Sequence, residues 1–183
     1  MEQGTLIKTN TYTADPNHSA IHFWVRHMMV AKVHGQLGEV KGTLAFDPAN
    51  PTATQIDVTI DAKGLTTRNE QRDGHLKSPD FLDVEQFPTI AFKSTRVSKA
   101  GDGEYEIVGD LTIRGVTKEV VFQAEATPET KGHFGGYVIG VSASGVIHRE
   151  DFGMTWNQAL EAGGVLVGKE IHFQIDAEFN RAD

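Results

Sequence analysis

Residues 171–180 read IHFQIDAEFN, and this stretch decides the fold. Apolar side chains take every second position and polar side chains take the positions between them, which is the period of a β-strand with one buried and one solvated face. The same alternation occurs at residues 56–61, 107–114 and 119–126. Strands of this kind are typical of antiparallel sheets, in which one face packs on a core and the other meets water.

Other strand-like segments lie at residues 21–26, 33–47, 89–97 and 137–147. The total is about eight or nine strands. Glycines at 35, 38 and 42 interrupt the longest segment and predict bulges or sharp bends, while turn residues predict hairpins at 100–103 and 114–115. Bends let a sheet curl and close, and closure removes exposed edges. The predicted fold is therefore all-β, a single extended antiparallel barrel of about eight strands.

The size of the inward side chains decides whether such a barrel is solid or hollow. Small residues stand at inward positions 109, 124, 126, 143, 145 and 177, beside the larger Phe23, Phe92, Phe122 and Phe173. Either these small residues leave a cavity for one ligand, or they relieve crowding at the barrel corners. Strand phase directs Ala143 inward and Ser142 outward.

Length and composition restrict the class of protein. The chain of 183 residues has no internal repeat or low-complexity tract, which suits one domain. Seventeen basic and twenty-five acidic residues give a net charge of −8, so nucleic acid is not an expected partner. The chain has no cysteine, which excludes disulfides, thiolate metal sites and cysteine nucleophiles.

The N-terminus lacks the basic start and apolar run of a signal peptide, and no apolar stretch approaches about 18 residues. The protein is therefore not expected to span a membrane. We expect it to be cytoplasmic as the chain stands, or periplasmic if the chain is a processed form. A homodimer is an open alternative to a monomer.

A polar segment at residues 68–76 breaks the strand pattern. Thr67 and Glu70 have the spacing of a capping box, the segment has no β-branched residue, and Pro79 stops a helix. The sequence therefore predicts one short helix from about 68 to 76.

Helical spacing places Arg68, Arg72 and His75 on one face of this helix. In an acidic chain, such a cationic face can hold the anionic or carbonyl head of a ligand, because guanidinium offers paired donors. Alternatively, the arginines form ordinary ion pairs that tie the helix to nearby carboxylates at Asp80, Asp83 or Glu85.

Residues for catalysis or metal binding are not evident. None of the eight histidines has the spacing of a zinc enzyme, so no metal site is predicted. Asp73 and His75 can form an acid/base pair, but no activated nucleophile stands near them in the sequence, so no catalytic residue is assigned.

Six groups of motifs follow one another along the chain. They are HS at 18–19 with FxVxH at 23–27, RDxHL at 72–76 with FxD at 81–83, FPxIxFxS at 87–94, GDLTIxGxTK at 109–118, RxDFG at 149–153 and VGxEI at 167–171. Each is a weak signal alone, but the ordered set strongly resembles the YceI-like, polyisoprenoid-binding family.

The resemblance implies a lipocalin-like barrel over residues 12–183, after an extension at 1–11, with the helix at or near its mouth. It implies a hydrophobic small-molecule partner: a long amphiphile such as a polyprenyl quinone, a polyprenyl phosphate or a fatty-acid derivative, with no other cofactor. Strand phase and the resemblance together place the ligand against Phe23, Val25, His27, Arg68, Arg72, Asp73, His75, Phe92, Leu111, Phe122, Val141, Ala143, Arg149, Phe152 and Phe173.

Three functions are compatible with these features. The first is non-enzymatic binding, sequestration or transport of the lipid in the barrel interior. The second is an enzyme that acts on an isoprenoid or acyl lipid through Asp73, His75 and Arg149. The third is a scaffold for protein interaction or stress response, which an interior plugged by aromatic side chains would indicate.

Overall fold

Eleven strands and one α-helix make up residues 9–182, the part of the chain that the computed structural model describes. The extension predicted at residues 1–11 lies largely outside this range. The elements are β1 (Asn10–Ala14), β2 (Ala20–His27), β3 (Ala31–Gln36), β4 (Val40–Phe46), β5 (Gln55–Asp61), α1 (Glu70–Lys77), β6 (Thr89–Gly101), β7 (Glu104–Ile113), β8 (Val116–Ala126), β9 (Thr130–Lys131), β10 (Tyr137–His148) and β11 (Glu170–Arg181). Short 3-10 turns lie at Pro16–His18, Pro51–Ala53 and Arg149–Phe152.

Eight strands close into an antiparallel barrel in the order β11, β1, β4, β5, β6, β7, β8 and β10. The barrel closes because β10 pairs with β11 along its whole length, from Tyr137 opposite Arg181 to His148 opposite Glu170. The predicted antiparallel barrel of about eight strands with one short helix is confirmed. Within residues 9–182, no helix is long and apolar enough to cross a bilayer.

The β2–β3 hairpin extends the barrel wall at one end. β1 and β2 follow each other along the same edge of β11, with β1 paired near Phe179 and β2 paired along residues 172–176. The segment predicted as one strand over 33–47 is divided into β3 and β4 at residues 37–39. Gly42 in β4 has a φ of 141°, and a Cβ there would strike the backbone of Asp57. The predicted interruption therefore lies around Gly38, whereas the strand pairing is regular at Gly35 and Gly42.

Small inward residues have two different roles in the wall. A Cβ on Gly145 would lie 2.7 Å from the Phe173 ring, and a Cβ on Gly109 would strike the ring of Phe92, so these glycines make room for aromatic side chains. Ala143, by contrast, faces open space inside the barrel. Some small residues therefore relieve crowding and others leave open space, at different positions of the wall.

One end of the barrel is packed solid. The buried side chains that fill it are Tyr12, Phe46, Tyr105 and Ile139, the first and last being 1% and 0% exposed. The Tyr12 hydroxyl donates a hydrogen bond to Glu129, and Arg181 donates two more to the same carboxylate, at 2.9 and 3.1 Å. This network ties the loop after β8 across the end of the barrel.

Candidate functional site

A cavity of about 590 Å³ occupies the opposite part of the barrel. Inward side chains from nine strands form its wall, and nearly all of them are aliphatic or aromatic. Three phenyl rings form a continuous cluster across the wall, because the Phe122 ring centroid lies 5.0 Å from that of Phe92 and 4.8 Å from that of Phe173. The alternation of the strands therefore produces a hollow, apolar interior.

Twelve of the fifteen predicted contact residues line this cavity. They are Phe23, Val25, His27, Arg72, His75, Phe92, Leu111, Phe122, Val141, Ala143, Arg149 and Phe173. Arg68, Asp73 and Phe152 are not among the lining residues of the described chain. Phe152 is 1% exposed and packs in the core instead.

Helix α1 lies over the open end of the barrel, where several of its residues line the cavity. It begins at Glu70 and not at residue 68, because Arg68 has a φ of 61°, which is incompatible with a right-handed helix. The N-cap is Asn69, whose Oδ1 accepts a hydrogen bond from the Arg72 N–H at 2.9 Å. The predicted capping box of Thr67 and Glu70 is wrong, since the Thr67 hydroxyl donates to Asp73.

The three residues of the predicted cationic face do not share one helical face, because the helix begins after Arg68. Arg68 precedes the helix and lies outside the cavity, whereas Arg72 and His75 line it. The Arg72 guanidinium donates to the Thr67 hydroxyl at 2.7 Å and to the Thr67 carbonyl at 2.9 Å. Within residues 9–182, neither arginine forms the proposed ion pair with residues 80–85. Two bonds leave three of the five guanidinium N–H groups of Arg72 available at the mouth.

An aromatic group at the rim surrounds His75. Its ring centroid lies 4.5 Å from that of Trp156 and 5.1 Å from that of Phe81, both edge to face. The His75 Nε2 atom lies 2.8 Å from a carboxylate oxygen of Asp80, which orients the imidazole. Sequence reasoning missed Trp156 and Phe81 as cavity residues, because both lie in irregular segments where no alternation shows which side faces inward.

Arg149 is the largest fully buried side chain of the described chain, with 1% of its surface exposed. Its guanidinium donates to backbone carbonyls of the segment between β10 and β11, at 2.8 Å to Gly168, 2.6 Å to Met154, 2.9 Å to Trp156 and 3.2 Å to Val167. Burial lowers the pKa of Arg149 from its usual value. Arg149 therefore organises the loop that forms one side of the mouth.

Asp73 is engaged in the helix start and not in the cavity. Its Oδ1 accepts hydrogen bonds from the Thr67 N–H at 2.7 Å and from the Thr67 hydroxyl at 2.5 Å. Burial acts to raise the pKa of Asp73, but the hydrogen bonds from Thr67 outweigh it, and the pKa falls below its usual value. The carboxylate is thus held ionised as a structural acceptor.

On the outer surface, Asp15, His18 and Glu178 lie close together. The His18 Nδ1 atom is 2.8 Å from Asp15 and 4.0 Å from Glu178. The Asp15 hydrogen bond raises the pKa of His18. This group lies on the wall outside the cavity and has the exposure of an ordinary surface ion pair.

Fold and cavity together define a hollow lipocalin-like β-barrel, which is solid at one end and open to a ligand-sized apolar space at the other. The YceI-like domain model matches residues 12–179. The chain belongs to the YceI-like family.

Relatives and solved structures agree with this assignment. The chain is 39% identical over 170 residues to the UPF0312 protein SAS2572 of Staphylococcus aureus, which covers 92% of this chain and 96% of that protein. The crystal structure of the Campylobacter jejuni YCEI protein has a TM-score of 0.73 and 30% identity, over 86% of this chain and 90% of that one.

More distant structures share the fold alone. Burkholderia cenocepacia BcnA has a TM-score of 0.78 and 19% identity, over 90% of this chain and 98% of that one. A polyisoprenoid binding domain from Saccharophagus degradans has a TM-score of 0.68 and 12% identity, over 94% of this chain and 99% of that one.

Proposed function

We propose that this protein binds, sequesters or transports a long-chain amphiphilic lipid, with the apolar tail inside the barrel and the head at the mouth. The observation that carries this proposal is the apolar cavity of about 590 Å³. Cavities of about 300–1,000 Å³ with apolar walls and few polar groups are typical of small-molecule sites. An interior plugged by aromatic side chains, as a scaffold would have, does not agree with this volume.

Hydrophobic burial alone supplies the affinity that a carrier needs. Each methylene moved from water into an apolar site contributes about 0.8 kcal/mol, so about ten methylenes contribute about 8 kcal/mol. That free energy corresponds to a Kd of about 1 μM before the cost of ordering the chain is subtracted. The lining needs no specific polar contact to hold the tail, and selectivity then depends on the head group.

A polyisoprenoid is the first lipid to test, since the Saccharophagus degradans neighbour is described as a polyisoprenoid binding domain. Polyprenyl quinones, polyprenyl phosphates and fatty-acid derivatives all combine a long apolar tail with a polar head. At the mouth, Arg72 offers charged donors and His75 offers a ring nitrogen to such a head.

Binding is favoured over catalysis by the partners of the three residues that an enzyme would use. The Asp73 carboxylate accepts hydrogen bonds from Thr67, and the Arg149 guanidinium is directed to backbone carbonyls. His75 is oriented by Asp80 on the rim. None of these arrangements aims an activated group at a ligand in the cavity, so we propose a non-enzymatic function.

Native mass spectrometry of protein purified from its own host tests the proposal. We expect a species heavier than the 183-residue chain by the mass of one lipid, which organic extraction releases and fragmentation identifies. Protein that has been exposed to host lipids but carries only buffer components, in repeated preparations, would contradict a carrier function. Release of a chemically altered lipid during incubation would instead support the enzyme.

A further inference from the structure

The tip of the β2–β3 hairpin exposes apolar side chains to solvent. Among residues 9–182 there are six large hydrophobic side chains that are exposed, and three of them are consecutive here: Met28 at 45%, Met29 at 67% and Val30 at 76%. Val121, Phe134 and Val146 are the others, and each stands alone in the sequence. A contiguous exposed apolar patch is typical of an interaction site, whereas scattered apolar residues are ordinary.

The turn itself does not require these side chains. Met28 and Met29 have φ values of 52° and 61°, a conformation that glycine and asparagine adopt more readily than methionine. Methionine at both positions therefore disfavours the turn locally while it places flexible apolar groups outward. The Met29 side chain also reaches Gly164 in the neighbouring loop, so the tip is supported from one side.

The hairpin is basic in a chain that is acidic overall. No acidic residue occurs between Asp15 and Glu39, although the whole chain carries a net charge of −8. Arg26 and Lys32 are directly paired across the two strands. Arg26 lies at the edge of the cavity lining, whereas Lys32 is not among the lining residues of the described chain. The adjacent loop at 158–166 contributes one acidic residue, Glu161. This local excess of positive charge complements an anionic surface.

An aromatic residue lies behind the basic pair. Trp24 precedes Arg26 by two positions on β2, and the Lys32 ammonium lies 4.1 Å from the centroid of the Trp24 ring. At about 3.3 Å per residue, Trp24 stands about 13 Å from Met28 along the strand. Interfacial elements bury apolar groups about 5–10 Å deep, with basic and aromatic side chains at the head-group level. The hairpin presents its side chains in that order.

The inner face of the same hairpin leads into the cavity. Val25 and Val33 are paired across the strands and both line the cavity wall. The Met28 N–H donates to the Leu166 carbonyl at 2.8 Å, and Leu166 also lines the cavity. The cavity lining therefore reaches to within three positions of the exposed tip on both strands, at Val25 and Val33, and lies beside the tip at Leu166.

We propose that the β2–β3 tip docks onto an anionic phospholipid bilayer, with Met28, Met29 and Val30 in the acyl region and Arg26 and Lys32 at the phosphates. Docking places the mouth of the cavity against the membrane, so that a lipid tail passes along apolar side chains without crossing water. The role of docking in lipid exchange rests on the proposed function, whereas docking itself does not.

Two matched variants test the proposal by co-sedimentation with vesicles of phosphatidylcholine and phosphatidylglycerol. Val30→Asp places a carboxylate at the tip. Phe134→Asp makes the same change of charge at a side chain that is 99% exposed and that lies just before the start of β10, outside the hairpin. We expect Val30→Asp to weaken vesicle binding by about tenfold or more and Phe134→Asp to leave it within about twofold.

A charge variant and a lipid control address the basic pair. Lys32→Gln is expected to weaken binding to the mixed vesicles by about fivefold, and wild-type protein is expected to bind pure phosphatidylcholine more weakly than the mixture. Equal binding by the two Asp variants, or no vesicle binding by the wild type, would overturn the proposal. Dissociation of a dimer by Val30→Asp in the absence of vesicles would also overturn it, because the tip would then bind a second copy of this chain.

Uptake of a polyisoprenoid added without vesicles separates this proposal from the carrier function. Val30→Asp should take up the dispersed lipid as well as wild type does, since Val30 does not line the cavity. Protein that binds vesicles but takes up no lipid contradicts the carrier function alone. Protein that takes up lipid but does not bind vesicles contradicts docking alone.

Discussion

Substitution of Ala143 by Phe tests whether the interior is hollow. Ala143 lies on β10 opposite Ala124 of β8 and Ile175 of β11, and it lines the cavity. An added phenyl ring needs about 150 Å³, the size of a cavity that holds benzene. That is about a quarter of the 590 Å³ cavity that Ala143 lines, so we expect the cavity to accommodate the ring.

Ala143→Phe should therefore keep its thermal stability while it loses lipid capacity. In a solidly packed core the same change would cost about 1–3 kcal/mol through overpacking. In the hollow barrel, we expect the Tm of lipid-free Ala143→Phe to equal or exceed that of wild type, because the ring gains burial. Lipid uptake should fall sharply, since the ring occupies the path of the tail.

Ser142→Phe is the matched control, because Ser142 lies on the outer face and its hydroxyl donates to Asp176 at 2.6 Å. Thermal unfolding without lipid and lipid capacity by native mass spectrometry are measured for both variants. An Ala143→Phe protein that unfolds while Ser142→Phe is stable would show a full interior and refute the hollow barrel. Equal lipid capacity in the two variants would show that the tail does not run past Ala143.

Three other variants, with Arg68→Ala as a control, test the residues at and around the mouth. Arg72→Ala should weaken binding of an anionic lipid by about 1–3 kcal/mol and spare its hydrocarbon analogue, whereas Arg68→Ala, outside the cavity, should change neither in a competition assay. Arg149→Met should lower the free energy of unfolding in urea by about 2–4 kcal/mol, because buried carbonyls lose their donor. Asp73→Asn should lower stability near neutral pH by about 1–3 kcal/mol. Because the pKa of Asp73 is depressed in the folded state, its contribution exists above the unfolded pKa and is lost as pH falls towards the folded value, so wild type and Asp73→Asn should converge in acid.

One result for each of these three variants would contradict its assigned role. Equal loss for the anionic lipid and its analogue in Arg72→Ala would mean that Arg72 only positions the helix. Full stability of Arg149→Met would mean that water replaces the guanidinium at the carbonyls. A constant difference between wild type and Asp73→Asn across the acid range would show that the ionised carboxylate is not the stabilising form.

The barrel wall was predictable because strand alternation assigns each side chain to a face. Phe122 and Phe173 are inward by period alone, and the structure places both in the cavity wall. The sequence predicted that a short helix is present, but not the residue at which it begins. Arg68 has a positive φ, and Thr67 before it bonds to Asp73 and Arg72, which sequence spacing does not reveal.

The sequence could not show which residues of the irregular segments face the cavity, because no periodic alternation assigns their side chains to a face. Trp156 reaches the cavity from the segment between β10 and β11, whose path is set by the hydrogen bonds of Arg149. The solid end of the barrel was equally hidden, since Glu129 lies in a loop and meets Tyr12 across 117 positions of sequence. Such long-range contacts depend on the closed topology.

The two tryptophans of the chain allow the most direct test that the lipid tail lies inside the barrel. Trp156 lines the cavity, whereas Trp24 is stacked on His172 at 3.7 Å on the outer wall. Fluorescence is measured with a lipid that carries bromine on its tail, added without vesicles to Trp24→Phe and Trp156→Phe proteins. We expect quenching of Trp156 in the first variant and unchanged emission of Trp24 in the second. Quenching of Trp24 alone, or of neither tryptophan by lipid that co-purifies with the protein, would contradict binding in the cavity.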